Sequence, residues 1–256
     1  MKNVIVSRSG SFSCLSLVEQ VYIFRGNFLT SHTNELKDLD YMEEIGGSTP
    51  VRQKIADLFN KHISPSSEIC TKEVVLGAGG SYILDALVEA ICDPGDGIMV
   101  ATPYWSGLDL SISIRNTARV LPINIPLDEI FIPSSIQYYK AALNGAKYPI
   151  RAVFICNPHN PLGQCYPRET LDSLFRFCKS NNLHYISDEV YALSTYNDRT
   201  EGEAPFISAL SLSGDTGFVH VVYSLSKDFG SNGVRLVSQT SLSQRYSQTE
   251  VYRGVL

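Results

Sequence analysis

The sequence has no apolar run that approaches the ~20 residues needed to cross a membrane. Its first 20 residues also lack the sustained apolar core of a secretory signal. We therefore expect a cytoplasmic protein with no membrane partner.

Positive charge and paired cysteines are scarce as well. The 21 lysines and arginines are outnumbered by 26 aspartates and glutamates, for a formal net charge of −5. No stripe of lysine and arginine stands out, so we expect no nucleic-acid partner. The six cysteines form no C-x-x-C pair. This spacing disfavours a metal site and indicates reduced, mostly buried thiols.

What is present is the composition of a globular protein, with 44% hydrophobic and 18% charged residues. Residues 1–45 have weak periodicity, and we interpret them as an N-terminal arm or a partial small-domain segment. From Gly46 the hydrophobic pattern becomes regular, which predicts one large domain over residues 46–256.

Short apolar strands alternate with amphipathic helices along this domain. Helices are predicted at residues 50–61, from residue 81, and at 167–180, and strands at 73–76, 98–101, 152–156, 184–187 and 218–223. The alternation predicts an α/β fold with a mostly parallel, doubly wound sheet and helices on both faces. Ligands bind such sheets at the carboxyl ends of the strands, so the residues that follow each strand are candidates for a site.

The segment after the last predicted strand, residues 224–235, reads SLSKDFGSNGVR. A lysine that acts as a nucleophile must lose its proton near neutral pH, which burial and a nearby cation favour. Lys227 closely follows an apolar strand, and Arg235 lies eight residues further on. Ser224 and Arg235 suit a phosphate, the arginine through a bidentate fork. Taken alone, Lys227 is more simply a solvated lysine in a Gly/Ser loop.

Two other strand ends suit a pyridine ring. Asp188 ends a predicted strand, where an acid can keep a ring nitrogen protonated, and Tyr191 stands three residues later. Taken alone, the pair is a capping aspartate and a core tyrosine. Asn160 lies in a turn rich in asparagine and proline over residues 157–163, and it can donate a hydrogen bond to a ring hydroxyl.

Gly80 and Ser81 stand between a strand and a helix, where backbone N–H groups can bind phosphate. A dinucleotide-binding loop is the alternative, but Tyr82 occupies the place of its third glycine and Lys227 would stay unexplained. Trp105, the only tryptophan, follows the next strand and can stack on a flat ring, although a partly buried core tryptophan is an equally good interpretation.

Together these segments resemble the class I/II aminotransferases of pyridoxal 5'-phosphate (PLP) fold type I. The 1-aminocyclopropane-1-carboxylate (ACC) synthase-like branch is the most similar. The resemblance rests on N-P-H-N-P-L-G at residues 157–163, S-D-E-V-Y at 187–191, D-P-G-D at 93–96 and the Lys227 segment at 224–235. It implies the fold type I large domain, PLP as cofactor, an amino-acid substrate and a homodimer.

By position, the resemblance makes Lys227 the Schiff-base lysine and the catalytic proton shuttle. Asp188 would pair with the pyridine nitrogen and Tyr191 with the ring hydroxyl, and both are assigned to catalysis as well as to cofactor binding. The remaining cofactor contacts fall to Gly80, Ser81, Trp105, Asn160, Ser224 and Arg235.

The sequence also departs from the family. Members continue into a C-terminal small domain that supplies the arginine for the substrate carboxylate. The sequence stops at Leu256, so we expect that domain to be missing and the large domain to be incomplete at its C-terminus. Members also have a glycine soon after the motif arginine. Here none occurs before Gly254, which puts the strand after the Lys227 segment in doubt.

The resemblance implies transamination of an amino acid, in a biosynthetic role. ACC synthase-like ring closure and carbon–sulfur lyase elimination are alternatives, because residues that hold the cofactor do not select among these reactions. A truncated, non-catalytic protein that binds PLP is an alternative of another class.

Overall fold

Seven β-strands form one sheet in the computed structural model, which describes residues 46–115, 117–195, 204–212 and 217–241. The strands are β1 (Val74–Ala78), β2 (Gly97–Thr102), β3 (Arg119–Asn124), β4 (Ile150–Cys156), β5 (His184–Asp188), β6 (Val219–Ser224) and β7 (Leu236–Ser241). The α-helices of the described ranges are α1 (Thr49–His62), α2 (Gly80–Ile91), α3 (Gly107–Ser113), α4 (Ile136–Gly145), α5 (Arg168–Ser180) and α6 (Leu225–Asp228). The predicted N-terminal arm, residues 1–45, lies outside the described residues.

The strands lie in the order β1-β7-β6-β5-β4-β2-β3. All pairs within the run β6-β5-β4-β2-β3 are parallel, whereas β7 pairs antiparallel with both β1 and β6. Six strands therefore point in one direction, and β7 alone among these seven points in the other. The predicted mostly parallel α/β architecture is confirmed.

The two faces of the sheet are covered by different helices. In β2, Met99 and Ala101 pack in a core with residues of α1 and α5, while Ile98 and Val100 pack with residues of α2 and α3 on the other face. All four side chains are at most 4% exposed. Because successive residues of a strand point to opposite faces, a strand that is buried on both faces needs an unbroken apolar run, and this is the pattern that made β2 recognisable.

The elements predicted from the sequence are all present, with bounds within two residues of those expected. Helices α3, α4 and α6 and strand β3 were missed. Strand β3 is an edge strand that pairs with β2 alone and contains Pro122, so it lacks both the apolar run and the composition of a central strand. Tyr139 is the one buried residue of α4. No helix in the described ranges is both long and apolar enough to cross a membrane.

The strand that the sequence left in doubt is present as β7. Three of its residues, Ser238, Gln239 and Thr240, are at most 1% exposed, and a side-chain oxygen of each has no hydrogen-bond partner among the described residues. Buried strands are normally apolar, so this composition hid β7 from sequence analysis. The strand is held by main-chain pairing on both sides.

The unpaired side-chain oxygens of β7 can be tested at Thr240, which lies opposite Val74 in β1 and Val221 in β6. Thr240→Val replaces the unpaired hydroxyl with a methyl group of the same shape, and we expect it to raise the free energy of unfolding by about 1 kcal/mol in urea denaturation.

Thr170→Val is the matched control, since the Thr170 hydroxyl donates a 2.7 Å hydrogen bond to the carbonyl of Phe131 and is also buried. It should lower the free energy of unfolding by roughly 1 kcal/mol. An equal loss in both variants would contradict the unpaired state of the Thr240 hydroxyl.

Candidate active site

The carboxyl ends of the parallel strands border one cavity of about 380 Å³. Every residue predicted to bind a cofactor lines it: Gly80, Ser81, Trp105, Asn160, Asp188, Tyr191, Ser224, Lys227 and Arg235. These residues follow five different strands, and the common direction of those strands brings them together.

One end of the cavity is built to bind an anion. Helix α2 begins at Gly80, and its first backbone N–H groups have no partner within the helix. In β1 and β7, Ala78 lies opposite Leu236, so Gly79 and Arg235 become neighbours just beyond the last pair. Gly79 has φ +110°, and a Cβ atom there would lie 2.1 Å from Nη2 of Arg235. The glycine turn and the guanidinium therefore form one continuous surface with no room for a side chain between them.

The lysine is carried by a single helical turn, α6, directly after β6. The Ser224 hydroxyl caps this turn by accepting a hydrogen bond from the Ser226 amide at 3.1 Å. Lys227 Nζ lies 5.8 Å from the centre of the Tyr191 ring. Lys227 itself is exposed rather than buried, because the turn projects from the sheet edge. The burial expected from the preceding apolar strand was therefore wrong.

Asp188 is the last residue of β5 and lies between Cys156 in β4 and Val222 in β6. Removal of its carboxyl group from water raises the pKa of Asp188 from 3.8 to about 6. A hydrogen bond from the Val190 amide and the charge of Lys227 oppose that shift. The ionised carboxylate of Asp188 therefore destabilises the folded protein, and a cationic partner in the cavity would stabilise it.

The Asn160 turn is fixed from both sides. Asn157 is fully buried, donates from Nδ2 to the Ile207 carbonyl at 2.9 Å, and accepts the Tyr166 amide at 3.1 Å. His159 Nδ1 accepts the Leu162 amide at 3.3 Å, and burial lowers the pKa of His159 to about 4. The imidazole is therefore neutral at physiological pH.

Trp105 stands beyond β2 and is 49% exposed, which excludes the core position considered from the sequence. A Cβ atom on Gly107 would lie 2.1 Å from Cζ2 of Trp105, so the glycine allows the indole to lie against the start of α3. The neighbouring Tyr104 hydroxyl donates to Asp109. The indole is thus held at the wall of the cavity and is accessible to a flat ligand.

Two acidic residues that hold the loops of the site by hydrogen bonds were not predicted from the sequence. Glu189 is fully buried, and its Oε1 accepts the Ser187 hydroxyl at 2.9 Å and the Ala209 amide at 2.7 Å. Burial raises the pKa of Glu189 to about 7. The Asp228 carboxylate accepts the Leu193 amide at 2.9 Å and also bonds the Ser194 hydroxyl. Both acids stood in quoted motifs, but Ala209, Leu193 and Ser194 are distant from them in sequence and left no local signal.

Within the described ranges, no group of three histidine, cysteine, aspartate or glutamate side chains is arranged to hold a metal ion. The charged side chains of the described cavity lining are those of Asp188, Lys227 and Arg235.

The sequence model of the aminotransferase class I and II family matches residues 33–246. The chain is 48% identical over 236 residues to the probable aminotransferase tcpI of Claviceps purpurea, covering 91% of this chain and 55% of that protein. It is 28% identical over 223 residues to 1-aminocyclopropane-1-carboxylate synthase 6 of Arabidopsis thaliana, covering 84% of this chain and 44% of that protein. The chain spans about half the length of the curated relatives it matches.

Solved structures of aminotransferases share the fold. The aspartate aminotransferase of Thermotoga maritima superimposes with a TM-score of 0.73 at 25% identity, covering 98% of this chain and 61% of that one. The alanine aminotransferase of Pyrococcus furiosus gives a TM-score of 0.71 at 22% identity, covering 94% and 55% respectively.

The anion-binding end can be tested with inorganic phosphate in thermal unfolding experiments. Gly79→Ala should lower the free energy of unfolding by roughly 1–2 kcal/mol, because φ is positive and the new Cβ meets Arg235. It should also abolish any rise in melting temperature that phosphate gives the parent protein.

Gly80→Ala is the control, since a Cβ there meets nothing within 4 Å and the backbone N–H remains. Its melting temperature and its phosphate response should stay close to those of the parent. Loss of the phosphate response in the Gly80 variant alone would contradict the arrangement of Gly79 and Arg235.

Proposed function

The chain belongs to the aminotransferase class I and II family, and we propose that residues 46–256 form the PLP-binding large domain of an aminotransferase-like enzyme that acts on an amino acid. The observation that carries this proposal is the convergence on one cavity of a lysine, an acid and an anion-binding end. We further propose a cytoplasmic, biosynthetic enzyme that acts as a homodimer, in keeping with the family resemblance.

The anion-binding end fits the phosphate of the cofactor. Gly80 and Ser81 offer backbone N–H groups and a hydroxyl at the start of α2, and Arg235 offers a guanidinium directly beside them. Among the described residues that line the cavity, Asp188 is the only acid. It stands on β5, two strands from β7 and three from β1, so no carboxylate of the described lining lies at this end. Ser224 would add a further hydroxyl.

The other walls fit the pyridine ring. We assign Asp188 to the ring nitrogen because a carboxylate with a raised pKa gains most from a cationic partner. Asn160 and Tyr191 would bond the ring hydroxyl, and Trp105 would stack on the ring. The donor set of the cavity thus matches each part of the cofactor in turn.

When bound, PLP supplies an electron sink for the electron pair left at the substrate's α-carbon. Lys227 is assigned the proton transfers at that carbon, as base and then as acid, from its Nζ atom. The Tyr191 ring beneath Nζ and the capped turn α6 keep the amine at the cavity. Asp188, when ionised, holds the proton on the ring nitrogen.

A second candidate within the enzyme class is ACC synthase-like ring closure or carbon–sulfur elimination, favoured by the similarity to an ACC synthase over 84% of the chain. The products separate the candidates. Incubation with PLP, a 2-oxo acid as amino-group acceptor, and S-adenosylmethionine, cysteine conjugates, methionine or aromatic amino acids should yield the 2-oxo acid of the donor and the aminated acceptor if transamination dominates. Thiol release or a cyclopropane product without an aminated acceptor would favour the second candidate.

The cofactor lysine can be tested by the visible absorption that protein-bound PLP gives. The parent and Lys54→Ala, which changes an exposed lysine of α1, should show the same band, and Lys227→Ala should lose it. A parent protein with no band would contradict PLP binding. A band that responds to no amino acid would favour the non-catalytic PLP-binding protein over an enzyme.

The raised pKa of Asp188 predicts that replacing this acid has opposite effects on protein stability and on PLP binding. The pKa of Asp188 is about 6 in the folded protein, above its ordinary value of 3.8. The ionised carboxylate therefore destabilises the folded state above pH 6, and this effect vanishes below about pH 4, where the carboxyl group is protonated in both states. Asp188→Asn should therefore stabilise the cofactor-free protein by roughly 1–2 kcal/mol at pH 7.5 and by little at pH 4.

The same variant should bind PLP at least tenfold more weakly at pH 7.5, because the amide cannot pair with a protonated ring nitrogen, an effect of about 1.4 kcal/mol or more. The affinity of the parent should fall as pH drops through 6. Denaturation curves at the two pH values and a PLP titration measure both effects. Unchanged PLP affinity in the variant would refute the assignment of Asp188.

A further inference from the structure

Asp228 joins two segments of the cavity wall that are far apart in sequence. It is the last residue of α6, the turn that carries Lys227. Its Oδ2 accepts the Leu193 amide at 2.9 Å, and its Oδ1 accepts the Ser194 hydroxyl at 2.5 Å. Both partners belong to the turn that starts at Tyr191 and is closed by the hydrogen bond from the Ser194 amide to the Tyr191 carbonyl, at 3.0 Å.

The turn that carries Lys227 and the turn that starts at Tyr191 are thus connected through two adjacent residues, Lys227 and Asp228. Lys227 reaches the Tyr191 ring through its amine, and Asp228 accepts the main-chain amide of Leu193 and the side-chain hydroxyl of Ser194, two and three residues beyond that tyrosine. Lys227 is exposed, so little packing fixes its direction. The Asp228 contacts are therefore the strongest described restraint between the lysine turn and the tyrosine turn, because a carboxylate that accepts two hydrogen bonds binds more firmly than a neutral pair.

Asp228 does not itself belong to the described cavity lining, and both of its oxygens are engaged by groups of the chain. The buried Tyr223 hydroxyl also lies close enough for the Asp228 charge to add to the effect of burial in raising the pKa of Tyr223. Because each oxygen of Asp228 already accepts a hydrogen bond from the chain, this carboxylate holds the surrounding turns in place and does not bind substrate.

We propose that Asp228 is a positioning residue, which fixes the Lys227 amine over Tyr191 by binding the main chain of the tyrosine turn. This inference rests on the proposed function, since it concerns the delivery of Lys227 to the aldehyde of PLP. The role is geometric: it requires two hydrogen-bonding groups at this place, one toward the Leu193 amide and one toward the Ser194 hydroxyl, and does not require the negative charge.

The test measures how fast Lys227 becomes linked to PLP. The protein is incubated with PLP and sodium cyanoborohydride, which supplies the hydride that makes the link permanent after one water is lost. Peptide mass spectrometry then compares modification at Lys227 with that at Lys54, an exposed lysine in the same molecule. The variants are Asp228→Ala, Asp228→Asn and Ser194→Ala, studied well below their melting temperatures and at several pH values.

Asp228→Ala should slow modification of Lys227 about tenfold at every pH and leave Lys54 unchanged, because a misplaced amine meets the aldehyde less often. Asp228→Asn should restore most of the rate, since its amide oxygen accepts the Leu193 amide and its NH₂ can donate to Ser194. Ser194→Ala removes one of the two bonds and should give a smaller loss, of about two- to threefold.

The outcomes separate this inference from the proposed function. If Lys227 of the parent reacts no faster than Lys54, PLP binding through Lys227 is refuted. If Lys227 of the parent reacts selectively and Asp228→Ala reacts at the same rate, the positioning role alone is overturned. An Asp228→Asn rate as low as that of Asp228→Ala, in a protein that melts like the parent, would also overturn it, because charge and not geometry would then matter.

Discussion

The reversed direction of β7 is the constraint on which the cavity depends. Six strands bring their carboxyl ends to one edge of the sheet, and β7 begins at that same edge because it runs the other way. The connection from β6 to β7 is therefore short and stays at the cavity. It carries Lys227 and Arg235, and the pairing of β7 with β1 places Arg235 beside Gly79. A parallel β7 would have carried the arginine away from the glycine turn.

This arrangement places polar groups where water is largely excluded. Burial raises the pKa of Asp188 to about 6 and that of Glu189 to about 7, so each carboxylate destabilises the folded chain when it is ionised. The unpaired oxygens of β7 act in the same direction. The continuous apolar layers on the two faces of the sheet offset these losses, because the central strands are buried on both sides.

Side chains that bind main-chain groups hold the loops of the cavity in place. Asn157 and Glu189 bind the segment around Ile207 and Ala209, and Asp228 binds the turn after Tyr191. The Asn157 and Asp228 contacts each join the end of one strand to the loop that follows another, and the Glu189 contact joins two parts of the connection between β5 and β6. Residues that face the cavity are therefore supported by a second set of residues that do not touch it, and a change in the second set would alter geometry without removing any group from the cavity.

The sequence by itself determined the α/β class, the elements with unbroken apolar runs, and nine of the residues that line the cavity. It could do so because strands buried on both faces and strand-end motifs are local patterns. Only the tertiary structure decided the direction of β7, the exposure of Lys227, the pKa of Asp188 and the partners of Asp228. These depend on strand pairing, desolvation and contacts between residues distant in the chain, and Asp228, 35 positions from Leu193, gives no local sign of its partner.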